Sequence, residues 1–286
     1  MENNWTRYLL ICLLLTACGG NPDYTPPPPQ HVLGDCAMSA NALLASYGNP
    51  LIKVESADFD GTNDYMLRGG SLTGAADGKT GIVSFWYRVD GGDGVARILI
   101  SNTDNATRIN HIGVDNTIQI TAGNAALTQI MGIKTSAKLA SSTWLHILAS
   151  WDLSTTTTNL YVNDVSDKTI ITATVNDTIK YTEANWSIGA LVGGTSKLNG
   201  CIADFYYAPN QYLDFSIADN RRKFISADGK PVNLGTDGSL PTGTAPIIYF
   251  HLDPAEAPAD FATNRGTGGN FSITGALTAG STSPSD

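Results

Sequence analysis

Thr143-Trp144-Leu145-His146-Ile147-Leu148-Ala149-Ser150-Trp151 is the stretch on which the fold turns. In an extended chain Trp144, His146, Leu148 and Ser150 fall on one side, and Leu145, Ile147, Ala149 and Trp151 on the other. That period of two predicts a strand. Outward from it, short apolar runs repeat over 52–59, 81–89, 95–101, 108–114, 116–121, 127–133, 143–152, 158–163, 185–191 and 199–207. Turn pairs punctuate them: Asp60-Gly61, Asp90-Gly91-Gly92, Gly123-Asn124 and Asn163-Asp164. Many short strands at this spacing predict an all-β sandwich or barrel. Helical patterns do not alternate with the strands, which argues against a parallel α/β sheet.

Composition agrees. The 286 residues are 42% hydrophobic and only 15% charged, with 29 glycines. Low charge and many small polar residues suit a turn-rich β protein. The formal net charge of -9 makes nucleic acid a poor partner, because phosphate backbones are gripped by Lys and Arg. Four cysteines, Cys12, Cys18, Cys36 and Cys201, show neither a CxxC pair nor Cys/His zinc spacing.

Residues 1–18 read as an address. A polar start with Arg7 precedes an apolar run from Tyr8 to Ala17, too short to span a bilayer and suited to a signal-peptide core. Leu15-Thr16-Ala17-Cys18 resembles the bacterial lipobox, which implies lipidation of Cys18 and a membrane anchor. The other reading of this run is a short buried helix or an unlipidated secretory signal. Residues 19–50 follow as a tether and short lead-in, with four prolines from Pro26 to Pro29 forming a stiff spacer. Cys36 and Cys201 then either form a disulfide or leave Cys201 as a plain buried thiol.

The main domain spans 51–208 and an extension covers 209–286. In the extension a helix is expected over 214–226. Ser216 and Asp219 are placed as a capping box, and Ile217, Arg221 and Phe224 on one face. A closing strand is expected over 245–252, and 275–286, rich in Gly, Ser, Thr and Pro, is expected to fray.

Three segments in order resemble the laminin-G-like, concanavalin A-like lectin/glucanase family. They are Phe59-Asp60-Gly61-Thr62-Asn63-Asp64-Tyr65; then Trp144-Leu145-His146-Ile147 with Asn159-Leu160-Tyr161-Val162-Asn163; and Ser187-Ile188-Gly189 with Asn199-Gly200-Cys201-Ile202-Ala203-Asp204-Phe205. The resemblance implies an antiparallel jelly-roll sandwich with one short helix after it. The chain departs from the family pattern at Asp164, where Gly is usual, and at Cys201 and Ala203. The stretch from Asn220 to Tyr249 resembles tails of phage and prophage laminin-G-like proteins, which raises a virion component as an alternative.

The resemblance also implies a binding module for a glycan or a protein partner. Glycoside hydrolases of this superfold carry an E-x-D-x-x-E run, absent here; the nearest acidic sets are Glu55/Asp58/Asp60 and Asp253/Glu256. Neither a Gly-x-Ser-x-Gly elbow nor an HExxH helix occurs, and the four histidines are scattered, with His146 inside a strand motif that favours a structural role. Calcium, which many such domains bind, would draw on the loop carboxylates Asp60, Asp64, Asp90 and Asp93, with Asn63 beside them. Asp-Gly turns look the same for local reasons. Sugar stacking would need an exposed aromatic; Trp86, Trp151, Trp186, Tyr206 and Tyr207 sit in strands, where a sandwich buries most aromatics.

Overall fold

Apolar residues at every second position are buried when two sheets face each other, and that is the arrangement observed. The structure, a computed structural model, describes residues 53–286 other than 93, 137 and 138. The signal segment, Cys18, the tether, Cys36 and Asp93 lie outside the described residues.

Two eight-stranded sheets face each other, and the strand pairings among the described residues are antiparallel. The first sheet contains β1 (Ala57–Asp60), β3 (Thr80–Val89), β8 (Leu145–Asp152), β9 (Thr157–Val162), β10 (Val165–Ser166), β13 (Asn199–Pro209), β14 (Ile248–Phe250) and β16 (Thr278–Ala279). Its order is β10-β9-β8-β3-β13-β1-β16, with β14 beside the later half of β13. The second contains β2 (Tyr65–Arg68), β4 (Arg97–Asn102), β5 (Thr107–Ile112), β6 (Thr117–Gly123), β7 (Gln129–Lys134), β11 (Thr169–Thr172), β12 (Trp186–Ile188) and β15 (Ser272–Thr274), in the order β11-β7-β6-β5-β4-β12-β2-β15.

The alternation in β8 is realised. Leu145, Ile147, Ala149 and Trp151 enter the core between the sheets, where they meet Phe85, Phe205, Ile109, Ile120 and Trp186. Leu148 faces outward, yet it too is buried. The extension accounts for this. Phe215, Phe224, Val232 and Leu234 pack on Ile82, Leu148, Tyr206 and Tyr249, so the first sheet is covered on both faces. Trp86, Ala203 and the half-buried Trp144 meet Val54 and Ile225 in the same outer layer.

β13 carries a bulge between Ala203 and Tyr206. Asp204 takes the left-handed conformation there, at φ 46°. The extra residue keeps Phe205 and Tyr207 facing the core, where an unbroken strand would have turned them outward. It also divides the strand's free edge, because β1 pairs with Gly200 to Ile202 and Asn199, while β14 pairs with Phe205 to Tyr207. Gly200 is required by contact: at φ 146° an added Cβ would lie 2.1 Å from the Arg88 carbonyl.

The extension departs from expectation in three ways. The helix expected over 214–226 contracts to α1 (Ala218–Arg221). Phe215 and Phe224 are nine residues apart, which puts them on opposite faces of a continuous helix. Breaking the helix lets both rings reach the first sheet and meet edge to face at 5.6 Å. Ile217 accordingly lies 51% exposed. No capping box forms, since the N-cap residue is Ile217, and the Asp214 carboxylate accepts the Ser216 N–H at 2.9 Å. The closing strand shortens to β14. Finally, 275–286 does not fray: β16 pairs with β1, Ser56 Oγ donates to the Thr282 carbonyl at 2.9 Å, and the Val54 N–H donates to Ser285 Oγ at 2.9 Å. Hydroxyls thus share the anchoring with Leu277, which is buried in the core.

Candidate functional site

Three polar constellations stand out from the frame, and their geometry separates scaffolding from a surface that could hold a ligand.

The first is a row across the first sheet. Register aligns Asp58 with Cys201 and Cys201 with Arg88. Cys201 Sγ donates to Asp58 Oδ1 at 3.3 Å and lies 3.9 Å from Asp90 Oδ2. Asp90 in turn accepts from Arg88 Nε at 2.9 Å and Nη2 at 2.7 Å. Asp58, Asp90 and Cys201 bring ligand-type atoms within 4.8 Å of one another. A cation fits poorly there. Burial, then the Asp58 carboxylate, pushes the thiol up to about 12. Arg88 already supplies the positive charge, and Thr282 and Ser281 close over it together with the Trp144 indole, whose Nε1 donates to Thr282 Oγ1 at 3.0 Å. Cys201 is a free, buried thiol among the described residues.

Of the loop carboxylates expected for calcium, Asp93 lies outside the described residues, and Asp60, Asp64 and Asp90 are committed to turn amides or to that pair. Asp60 Oδ1 accepts the N–H groups of Thr62, Asn63 and Asp64 at 2.7, 3.0 and 3.3 Å, and the Asn63 bond leads in holding its carboxyl below the usual range. Asp64, buried, accepts the Asp60 N–H at 3.3 Å and the Ala276 N–H at 2.8 Å. Amide donors aimed at these oxygens make poor surroundings for a cation that wants six to eight oxygen ligands.

The second constellation lies at the bulge. His251 Nδ1 is 2.5 Å from Asp204 Oδ1, and Nε2 is 3.1 Å from Asp253 Oδ1. Tyr249 donates its hydroxyl to Asp204 at 3.3 Å, and Arg265 bridges Asp253 and Glu256 at 3.0 and 2.5 Å. Burial is the largest single effect and opposes the imidazolium, but the Asp204 and Asp253 carboxylates together outweigh it, and the His251 pKa is raised. Both ring nitrogens are engaged, so the histidine clamps β14 to β13. His146 takes a different course: complete burial holds it at about 3, and Nε2 meets Ser84 Oγ at 2.8 Å.

The third constellation is the outer face of the second sheet, where one row runs Ser187, Ser101, Arg108, Thr121 and Gly132. A second aligns Asn110 with Gln119 and Gln119 with Lys134. The Ala190 carbonyl covers Ser101 and Ser187, accepting from their hydroxyls at 3.3 and 2.5 Å. Beyond that cover, Arg108 and Gln119 are half-buried, and Asn110 is 6% exposed. Arg108 Nε and Asn110 Oδ1 are both buried without a hydrogen-bond partner. Most buried polar atoms are satisfied, so an orphan donor beside an orphan acceptor on rigid strands marks a place able to receive one. Nothing in the sequence reading singled out either residue; only the outward phase of β5 could have drawn attention to them.

The aromatic residues weighed for stacking are all in the core: Trp86, Trp151, Trp186, Tyr206 and Tyr207 are at most 4% exposed. Among the described residues, Tyr65, Trp144 and Tyr212 are the Trp and Tyr side chains that reach solvent.

Comparison with known proteins agrees with this frame. Residues 60–208, 149 of the 286, match the concanavalin A-like lectin/glucanases superfamily, and the chain belongs to that family. A protein from Bacteroides ovatus proposed to bind carbohydrate superposes with a TM-score of 0.53 at 13% identity, over 81% of this chain and 60% of its own length. The chain thus spans about three-fifths of that relative. A heptameric SAP-like pentraxin from Limulus polyphemus gives 0.43 at 13% identity, over 57% of this chain and 79% of its own. Mouse laminin α1 domains LG4-5 give 0.40 at 13% identity, over 58% and 44%. No curated protein matches the sequence.

Proposed function

We propose that this chain is a non-catalytic glycan-binding module displayed at a cell surface, anchored by lipid at Cys18 and spaced by the proline run. The observation that carries the binding role is the outer face of the second sheet, where Arg108 Nε and Asn110 Oδ1, from residues two apart on one face of β5, lack hydrogen-bond partners. On the first sheet the unpartnered His146 Nδ1 is fully buried and the extension packs on the outer face. Family membership, and the fold shared with a Bacteroides ovatus protein proposed to bind carbohydrate, support a saccharide over other ligands.

The acidic groups argue for binding without chemistry. Hydrolysis of a glycoside needs two carboxylates flanking an open cleft. Asp58 and Asp90 enclose a thiol beside Arg88, and Asp204 and Asp253 enclose His251. Each pair is tied to a cation or a neutral donor and used to hold strands together.

A glycan array probed with the full chain tests the binding role. Reproducible saccharide hits, weakened by Arg108→Ala in a variant that keeps its β-sheet circular dichroism, are the expected result; a blank array with folded protein refutes it. The anchor is tested separately. Membrane association that disappears on Cys18→Ala supports it, and an unprocessed N-terminus in purified virus particles would favour the virion alternative.

A further inference from the structure

Seven arginines fall among the described residues, and six have found partners. Arg68 bonds the Ser71 carbonyl, Arg88 bonds Asp90, and Arg97 bonds the Gly92 and Val95 carbonyls. Arg221 and Arg222 share Asp164, and Arg265 holds Asp253 and Glu256. Arg108 has neither an ion pair nor a hydrogen bond among the described residues, and its Nε is closed off from water. Carboxylates are not scarce: the chain has 26 acidic residues against 17 basic ones. A guanidinium left free in such a chain, on a strand fixed by neighbours on both sides, is a fork held open for an anion.

Asn110 adds a second requirement. It stands two residues along β5, about 7 Å away and on the same face. Its buried Oδ1 needs a donor, whereas the Arg108 Nε–H needs an acceptor. A ligand that satisfies both carries an anion and a hydroxyl a few ångströms apart. A carboxylated pyranose has this pattern, with the carboxylate at one edge of the ring and hydroxyl donors around the rest. A neutral sugar would leave the partly desolvated guanidinium without a counter-charge. A polysulfate or polyphosphate would meet one fork within the field of a chain of net charge -9.

We propose that the Arg108–Asn110 patch binds a carboxylate-bearing sugar, with the Arg108 guanidinium on the carboxylate and Asn110 Oδ1 accepting a ring hydroxyl. This rests on the glycan-binding reading and names the ligand class. The full chain is to be titrated with oligogalacturonate, oligomannuronate and sialyllactose, each beside its carboxyl-reduced counterpart. Binding should weaken about ten-fold or more on carboxyl reduction, and by a similar factor in Arg108→Lys, which keeps the charge but loses the fork. Asn110→Asp, nearly isosteric, should weaken the carboxylated ligands selectively, because it sets a like charge beside the anion. The uronate and sialyl arms identify which acid is preferred. Equal affinity for the reduced sugars, undiminished in Arg108→Lys, overturns the acidic-sugar assignment and leaves glycan binding intact. Absence of binding to any saccharide by protein that retains its thermal transition overturns both.

Discussion

His146, in β8, and His251, directly after β14, respond to protons in opposite senses. His146 is held at about 3 by burial, so below the unfolded value of about 6.5 the unfolded chain takes up a proton that the folded chain refuses, and stability falls as pH drops. His251 has a raised pKa, so its contribution is complete below about pH 6.5 and is lost as pH climbs through the folded value. Stability should therefore peak near pH ~6.5, each arm having a slope of at most about 1.4 kcal/mol per pH unit from one histidine. Melting curves across that range are the measurement. His251→Gln should flatten the alkaline arm, and His146→Gln should remove the start of the acid arm. A parent profile that rises steadily through pH 8 would contradict the assignment. Asp164 also acquires a meaning at this scale. It sits where the family favours Gly, in a two-residue hairpin turn with Asn163 at φ 48° and itself at φ 66°. Its carboxylate accepts from Arg221 at 2.6 Å and Arg222 at 2.5 Å, and Arg221 stacks 4.6 Å over Tyr161. The departure from pattern is the point where the extension is fastened to the sandwich.

Among the elements, the least regular ones decide whether the sandwich is closed. α1 is a single turn with no buried residue of its own, yet it sits between Phe215 and Phe224, both at most 2% exposed. Burying each such ring contributes roughly 1.5–3 kcal/mol, and Val232 and Leu234 add to that. Net stabilities of whole domains are about 5–15 kcal/mol, so this cover is not dispensable. A chain ending at Pro209 should lose its cooperative thermal transition and expose apolar surface, detectable as dye binding. A sharp melt resembling that of the full chain would show that 60–208 stands alone. β15 and β16 act similarly at the sheet ends, pairing with β2 and β1. Such short strands were not readable in the sequence: three residues of Ser-Ile-Thr have no period to measure, and their pairing is set by contacts roughly two hundred residues away. The helix expected over 214–226 failed for a related reason. Its local signals were real, but burying two phenylalanines nine residues apart outweighed helix continuity.

For the whole molecule, the two sheets divide the labour. One is sealed on both faces and carries the clamps; the other keeps a polar outer face and the unpartnered Arg108 and Asn110. The period-two pattern, the turn pairs and three ordered motifs determined the all-β class, most strand positions, the division of β8 into two sides and the burial of most of the strand aromatics. These follow from the sequence because the register of a strand relative to a core depends only on alternation along the chain itself. Which face would be sealed and which left free, and which arginine would be left without a partner, depended on how residues distant in sequence came together. Only the tertiary structure decided that, because hydrogen bonds between residues distant in sequence, and the orphans they leave, carry no local signature.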